Sequence, residues 1–242
     1  MAVTGDELRY VWGQVPMHGR LFRDTAWTAP RPGVLVFPEG FGISDHTLTA
    51  AARVAELGYA AMACDLYGNG YFSGGPGAEV EDRHRQLLSR PDGMLEIGMS
   101  ALGALQGRPE VDSGRIAATG FCIGATIAME LSFAGAGIAA VAGFHPSFRG
   151  LSYARASALA CPMNLFMGSR DYASPVEERA RLEAAFEGNG SDWRMTIYGG
   201  VRHSYMNPDC PGMGDRVGFD PRADAHSWAA LADLLASVLK GD

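Results

Sequence analysis

The feature that most constrains this chain is a rhythm: short apolar runs of strand length, rich in Val, Ile and Ala, alternate with longer stretches of helical spacing. Strands buried on both faces read as near-continuous apolar runs, and parallel neighbours need crossover connections of a dozen or more residues. The rhythm therefore specifies an α/β architecture, a mostly parallel central sheet with helices on both faces. Strands are expected over 33–38 (GVLVFP), 59–64 (YAAMAC), 115–119 (RIAAT), 139–144, 163–167 and 193–198. Helices are expected over 46–57, 79–88, 94–105, 125–133, 175–186 and 223–239, with Pro175 in a tolerated first-turn position. The Gly- and Pro-rich stretch 65–77 is long for a simple connection and reads as a functional loop.

Gly120-Phe121-Cys122-Ile123-Gly124 falls between an expected strand and an expected helix. A nucleophile presented on a sharp strand-to-helix turn needs small residues two positions away on either side, and Gly120 and Gly124 meet that demand. A lone cysteine is more often a buried packing thiol, but that reading leaves the paired glycines unexplained. By the same test Cys64, inside an apolar strand, reads as core, while Cys161 and Cys210, each before a proline, read as turn positions. No C-x-x-C spacing is present, so neither a zinc site nor a dithiol motif is written into the chain, and free thiols are expected. Ser113 and Ser132 lack paired glycines and make poor alternative nucleophiles.

A thiol nucleophile needs a base, and in this architecture the order along the chain is nucleophile, acid, histidine. Asp171 follows the expected strand 163–167, at the sheet edge where such folds gather ligand-handling residues, and His203 follows the last expected strand in a glycine-containing loop. His145, also beyond a strand end, is the main competitor for the base. Asp65 ends a strand but precedes Cys122, and is read as organising its own loop through side-chain to backbone hydrogen bonds.

Five segments now stand together: PEGFGISDH around Glu39, DLYG from Asp65, GFCIGA around Cys122, GSRD ending at Asp171, and HSYMNP from His203. On these the chain resembles the dienelactone hydrolase family from about Gly33 to the C-terminal helix. The resemblance implies an α/β-hydrolase fold, one domain over 1–242, a triad of Cys122, His203 and Asp171, and a controlling glutamate at Glu39. A free thiol, with a pKa of roughly 8.5, is only a few per cent ionised at neutral pH. A helix N-terminus contributes roughly 0.3 to 1 kcal/mol against about 1.36 kcal/mol per pKa unit, so the dipole alone does not make a thiolate dominant. A carboxylate at Glu39 would oppose the sulfur anion further, and its displacement by substrate is the expected trigger.

The expected reaction is attack on an ester or lactone carbonyl, an oxyanion held by the backbone N–H groups of Ile123 and Gly40, and a thioester hydrolysed by water that His203 activates. It calls for no metal and no organic cofactor. The family holds a substrate carboxylate with two arginines. Arg83, with Arg85 close behind, matches one, but the position four residues after His203 is Asn207. The missing partner implies a less acidic small-molecule substrate, a neutral lactone or aryl ester. Because the same nucleophile and oxyanion donors also suit attack at a phosphoryl centre, side activity on neutral phosphotriesters is expected. Phe41, Tyr67, Phe72 and Tyr205 are expected as pocket walls, and Asn207 as a substrate contact in place of the second arginine. The alternatives from other classes are a non-catalytic binder and a thiol redox sensor; a sensor wants a resolving cysteine, and none is near Cys122 in sequence.

A formal net charge of −7 works against phosphate backbones and anionic membranes, so nucleic acid is not an expected partner. No run of about 18 apolar residues and no basic-then-apolar leader pattern occurs, so a cytoplasmic monomer or homodimer is expected.

Overall fold

The expected rhythm is realised as one eight-stranded sheet flanked by helices. The computed structural model describes residues 2–188, 190–210 and 214–239; Pro211, beside the Cys210 turn, and the two extreme ends of the expected domain lie outside them. In chain order the elements are β1 (Val3–Trp12), β2 (Val15–Asp24), β3 (Arg31–Phe37), α1 (Asp45–Glu56), β4 (Ala60–Ala63), α2 (Ala78–Leu88), α3 (Gly93–Gln106) and β5 (Val111–Phe121). There follow α4 (Ile123–Phe133), β6 (Val141–Phe144), α5 (Tyr153–Ala156), β7 (Met163–Gly168), α6 (Val176–Glu187), β8 (Trp193–Tyr198) and α7 (Pro221–Leu239). The strand order is β1-β2-β4-β3-β5-β6-β7-β8. Every pair from β4 onward is parallel, and only β1 and β2 run antiparallel to their neighbours.

Successive residues of a buried strand enter opposite layers. Leu35 and Phe37 of β3 pack with Ile97, Leu105, Ile127 and Leu131 of α3 and α4, whereas Val34 and Val36 pack with Val54 of α1 and Leu235 of α7. β4 divides likewise, Met62 to one layer and Ala61 to the other. Each layer thus has its own apolar cluster, and α4 is buried along its whole length. No described helix is long and apolar enough to cross a membrane.

Three boundaries differ from expectation. The β1–β2 hairpin, joined through Gly13 at φ 58°, was not anticipated; it lies at the sheet edge, and its charged, half-exposed strands lack an apolar run. β5 runs to Phe121 and α4 begins at Ile123, so strand and helix meet at a single residue, Cys122. Pro175 caps α6 with ψ 158° rather than sitting inside its first turn.

Candidate active site

Strand and helix can meet at one residue only because the backbone there folds sharply. Cys122 has φ 54° and ψ −119°, outside the regions comfortable for a side chain. Its N–H donates to Phe144 O (3.0 Å) and its carbonyl accepts from Ser147 N (3.1 Å), so the end of β6 pins the turn. A Cβ on Gly120 would overlap the Gly124 backbone, and one on Gly124 would overlap Pro38 O and stand 2.6 Å from Phe37 O. The paired glycines are a packing requirement of the turn.

Asp171 and His203 come together for a similar reason. A Cβ on Gly168, the last residue of β7, would collide with Val201 O, and Arg170 N donates to that carbonyl at 2.9 Å. The loop after β8 therefore lies directly against the loop after β7. Asp171 Oδ1 and Oδ2 each stand 2.9 Å from His203 Nδ1, with both residues buried. Burial opposes a charge on the His203 ring, but the Cys122 sulfur and the Asp171 carboxylate outweigh it, and its pKa is pushed up to about 10. With Nδ1 engaged by Asp171, Nε2 is left for Cys122.

Glu39 is also buried. Its Oε2 accepts from Asn207 Nδ2 at 2.5 Å, and its Oε1 lies 4.0 Å from His145 Nε2. Tyr67 Oη donates to Gly40 O at 2.9 Å, which orients the loop carrying Gly40, and Ile123 supplies the first N–H of α4, a group without an intrahelical acceptor. Asp65 behaves as read, accepting from Tyr67 N, Gly68 N and Gly70 N.

A cavity of about 760 Å³ opens over Cys122 and His203, walled in part by Glu39, Gly40 and Phe41. Several expected wall residues lie elsewhere. Arg83 turns away to Glu79 (3.0 Å) and lies over the Tyr71 ring, so Arg85, two residues on, is the arginine of α2 that reaches the cavity. Tyr205 is wholly buried with its hydroxyl on Ser227 (2.7 Å), and Phe72 is half-exposed beside Gly42. Tyr67 serves Gly40, and Asn207 serves Glu39 rather than a substrate.

The wall also holds residues that the sequence reading missed: Tyr172, Arg149, Arg216 and Cys210. Tyr172 directly follows Asp171 and Arg149 lies in the loop beyond β6, so the strand-end rule that selected Asp171 also reaches them. Arg216 and Cys210 carry no local signal. Cys210 is remote from Cys122 in sequence yet shares its cavity, with a thiol pushed up to about 11 by burial and by Glu39. Among the described residues all four cysteines are free, and no group of three or more His, Cys, Asp or Glu is arranged to hold a metal ion.

The chain is similar to several known proteins. A carboxymethylenebutenolidase of a Pseudomonas species is 29% identical over 167 residues, 65% of this chain and 68% of that one. A dienelactone hydrolase-like promiscuous phosphotriesterase from metagenomic libraries superposes with a TM-score of 0.92 at 29% identity, covering 99% of this chain and 100% of that one. A putative dienelactone hydrolase from Klebsiella pneumoniae, 20% identical and covering 98% and 99% of the two chains, superposes with a TM-score of 0.79, which marks the fold as that of the α/β-hydrolases. The family model described as the dienelactone hydrolase family matches residues 17–239, and the chain belongs to that family.

Proposed function

We propose that the chain hydrolyses carboxylic esters or lactones through a Cys122 nucleophile, with His203 as base and Asp171 as the group that orients it. The observation that carries the reading is the His203 ring, clamped at Nδ1 by both Asp171 oxygens while its neighbour at the strained turn is the cavity-facing Cys122. The Cys122 sulfur, its proton passed to His203, attacks the carbonyl carbon, and the oxyanion accepts from the N–H groups of Ile123 and Gly40. Collapse expels the alcohol, which takes the proton from His203, and leaves a thioester on Cys122. His203 then removes a proton from water as it attacks the thioester, and the acid departs from the restored thiol.

Charges on the cavity wall balance between Arg85, Arg149 and Arg216 and Glu39, Glu81 and Glu178, which favours a neutral lactone or aryl ester over a strongly acidic one. The likeness to a promiscuous phosphotriesterase over the full chain supports a second reaction, attack of the same thiol on neutral phosphotriesters. The test is turnover of an aryl acetate, a neutral lactone and an aryl phosphotriester by wild type and Cys122→Ala, with mass spectrometry of the briefly exposed wild type. The expected outcome is an acyl increment on Cys122 and no turnover by Cys122→Ala; wild-type rates in that variant would end the proposal.

A further inference from the structure

The proposed mechanism employs His203 and leaves a second buried histidine without a task. His145 follows β6 with φ 37°, in the left-handed region that side chains seldom adopt, and its N–H donates to Phe166 O at 2.8 Å, so β7 holds it there. The residue is completely buried. His203 and Tyr205 enclose the ring edge-on, with centroids 5.0 and 5.4 Å away, and Phe121 lies at 5.9 Å.

Among the described residues neither ring nitrogen of His145 has a hydrogen-bond partner, and the same is true of Glu39 Oε1. These unpaired atoms face each other, since His145 Nε2 and Glu39 Oε1 are 4.0 Å apart. Buried polar atoms left unpaired are destabilising and rare. The gap exceeds a hydrogen bond, but the terminal torsion of a glutamate is broad and a small adjustment closes it. Glu39 Oε2 is meanwhile held by Asn207.

We propose that His145 is a positioning residue for Glu39: its Nε2–H and the Asn207 amide form a two-donor fork that fixes the carboxylate beside the Cys122–His203 pair. The inference rests on the reading of Cys122 as nucleophile. The groups facing His145 are Glu39, His203 with Asp171 behind it, His46 and Tyr205. Burial, with His203 and His46 close by, keeps the ring neutral, so it has one N–H to give. Both arms of the fork are then uncharged, and what they control is where the carboxylate points. Without His145, Oε1 is free to turn toward the thiol of Cys122, which lines the same cavity, and to favour its protonated form.

The test is the rate at which iodoacetamide alkylates Cys122, located by mass spectrometry and followed from mildly acidic to basic pH. His145→Phe, which keeps ring volume without a donor, is expected to slow alkylation at neutral pH about tenfold and displace the profile upward by about one pH unit. His145→Gln, which keeps a donor, recovers most of that loss. In the double variant with Glu39→Gln the defect disappears, because no carboxylate is left to misplace; a purely structural defect would persist. A His145→Phe profile that overlays the wild type, or a defect that Glu39→Gln does not suppress, overturns the proposal. Should His145→Phe fail to fold, His145→Leu serves the same comparison. Absence of an acyl increment on Cys122 in the wild type would instead overturn the proposed function, so the two failures are distinguishable.

Discussion

His203 keeps its proton in a place where burial should remove it, and the reason is local. Desolvation alone would lower its pKa, yet the Cys122 sulfur and a carboxylate that reaches Nδ1 with both oxygens carry it up to about 10. Asp171→Asn removes one anion and leaves the burial, so the pKa must move down, toward or below the ordinary imidazole value of about 6.5. If the imidazolium donates a proton to the leaving alcohol, the basic limb of the kcat/KM profile should stand near pH 10 in the wild type and fall to lower pH in Asp171→Asn. The variant should also lose about 100- to 10,000-fold in kcat, because the amide no longer selects the tautomer that leaves Nε2 free. Steady-state rates with an aryl ester across pH check both effects, and a basic limb unmoved by the substitution would remove Asp171 from the assigned role. The three groups of this site were legible because each sits at a strand end with a local pattern around it. The partners of Glu39 were not, since Asn207 and His145 reach it only through the fold and their own segments read as substrate contact and competing base.

At the scale of elements, the site is an outcome of how tightly α4 is set against β3. Gly124 lies under the carbonyls of Phe37 and Pro38, and an added methyl meets backbone that cannot rotate out of the way. Gly124→Ala should therefore cost about 3 kcal/mol or more in stability and displace Cys122 enough to lose activity. Gly103→Ala is the control: it lies in α3, exposed, with nothing within 4 Å of an added Cβ, and should stabilise by about 1 kcal/mol with activity unchanged. Urea unfolding of the two variants separates a glycine required by packing from one merely tolerated in a helix, and equal effects would refute the distinction. The same contrast explains what was legible at this scale. Strands β3 to β7 are buried on both faces and announce themselves as apolar runs, as do the glycines that let them turn. The exact meeting of β5 and α4 depends on the tertiary hold of Phe144 and Ser147 on Cys122, which no window of sequence contains.

At the scale of the whole molecule, the antiparallel edge that the sequence did not reveal is tied to the cavity. β1 is a partly exposed strand whose alternation is blurred by charged residues, so its strand character becomes evident only when β2 pairs along its full length. Yet Tyr10 of β1 sends its hydroxyl to the start of the 65–77 loop, accepting from Asp65 N at 3.0 Å and donating to Asp65 O at 3.3 Å. The Asp65 carboxylate in turn holds the N–H groups of His18, Tyr67, Gly68 and Gly70, and Tyr67 Oη reaches Gly40, whose N–H is assigned to the oxyanion. The edge strand β1, outside the stretch matched by the family model, thus fastens the loop whose Tyr67 holds Gly40. Tyr10→Phe keeps the ring and deletes both hydrogen bonds, leaving a backbone N–H and carbonyl unpaired, which should destabilise by about 1 to 3 kcal/mol. The urea midpoint should fall with an unchanged slope, the amides of Gly68 and Gly70 should exchange faster with solvent, and kcat should decline while the Cys122 turn stays intact. Unaltered exchange at those two amides would show that the edge strand and the cavity loop are mechanically independent.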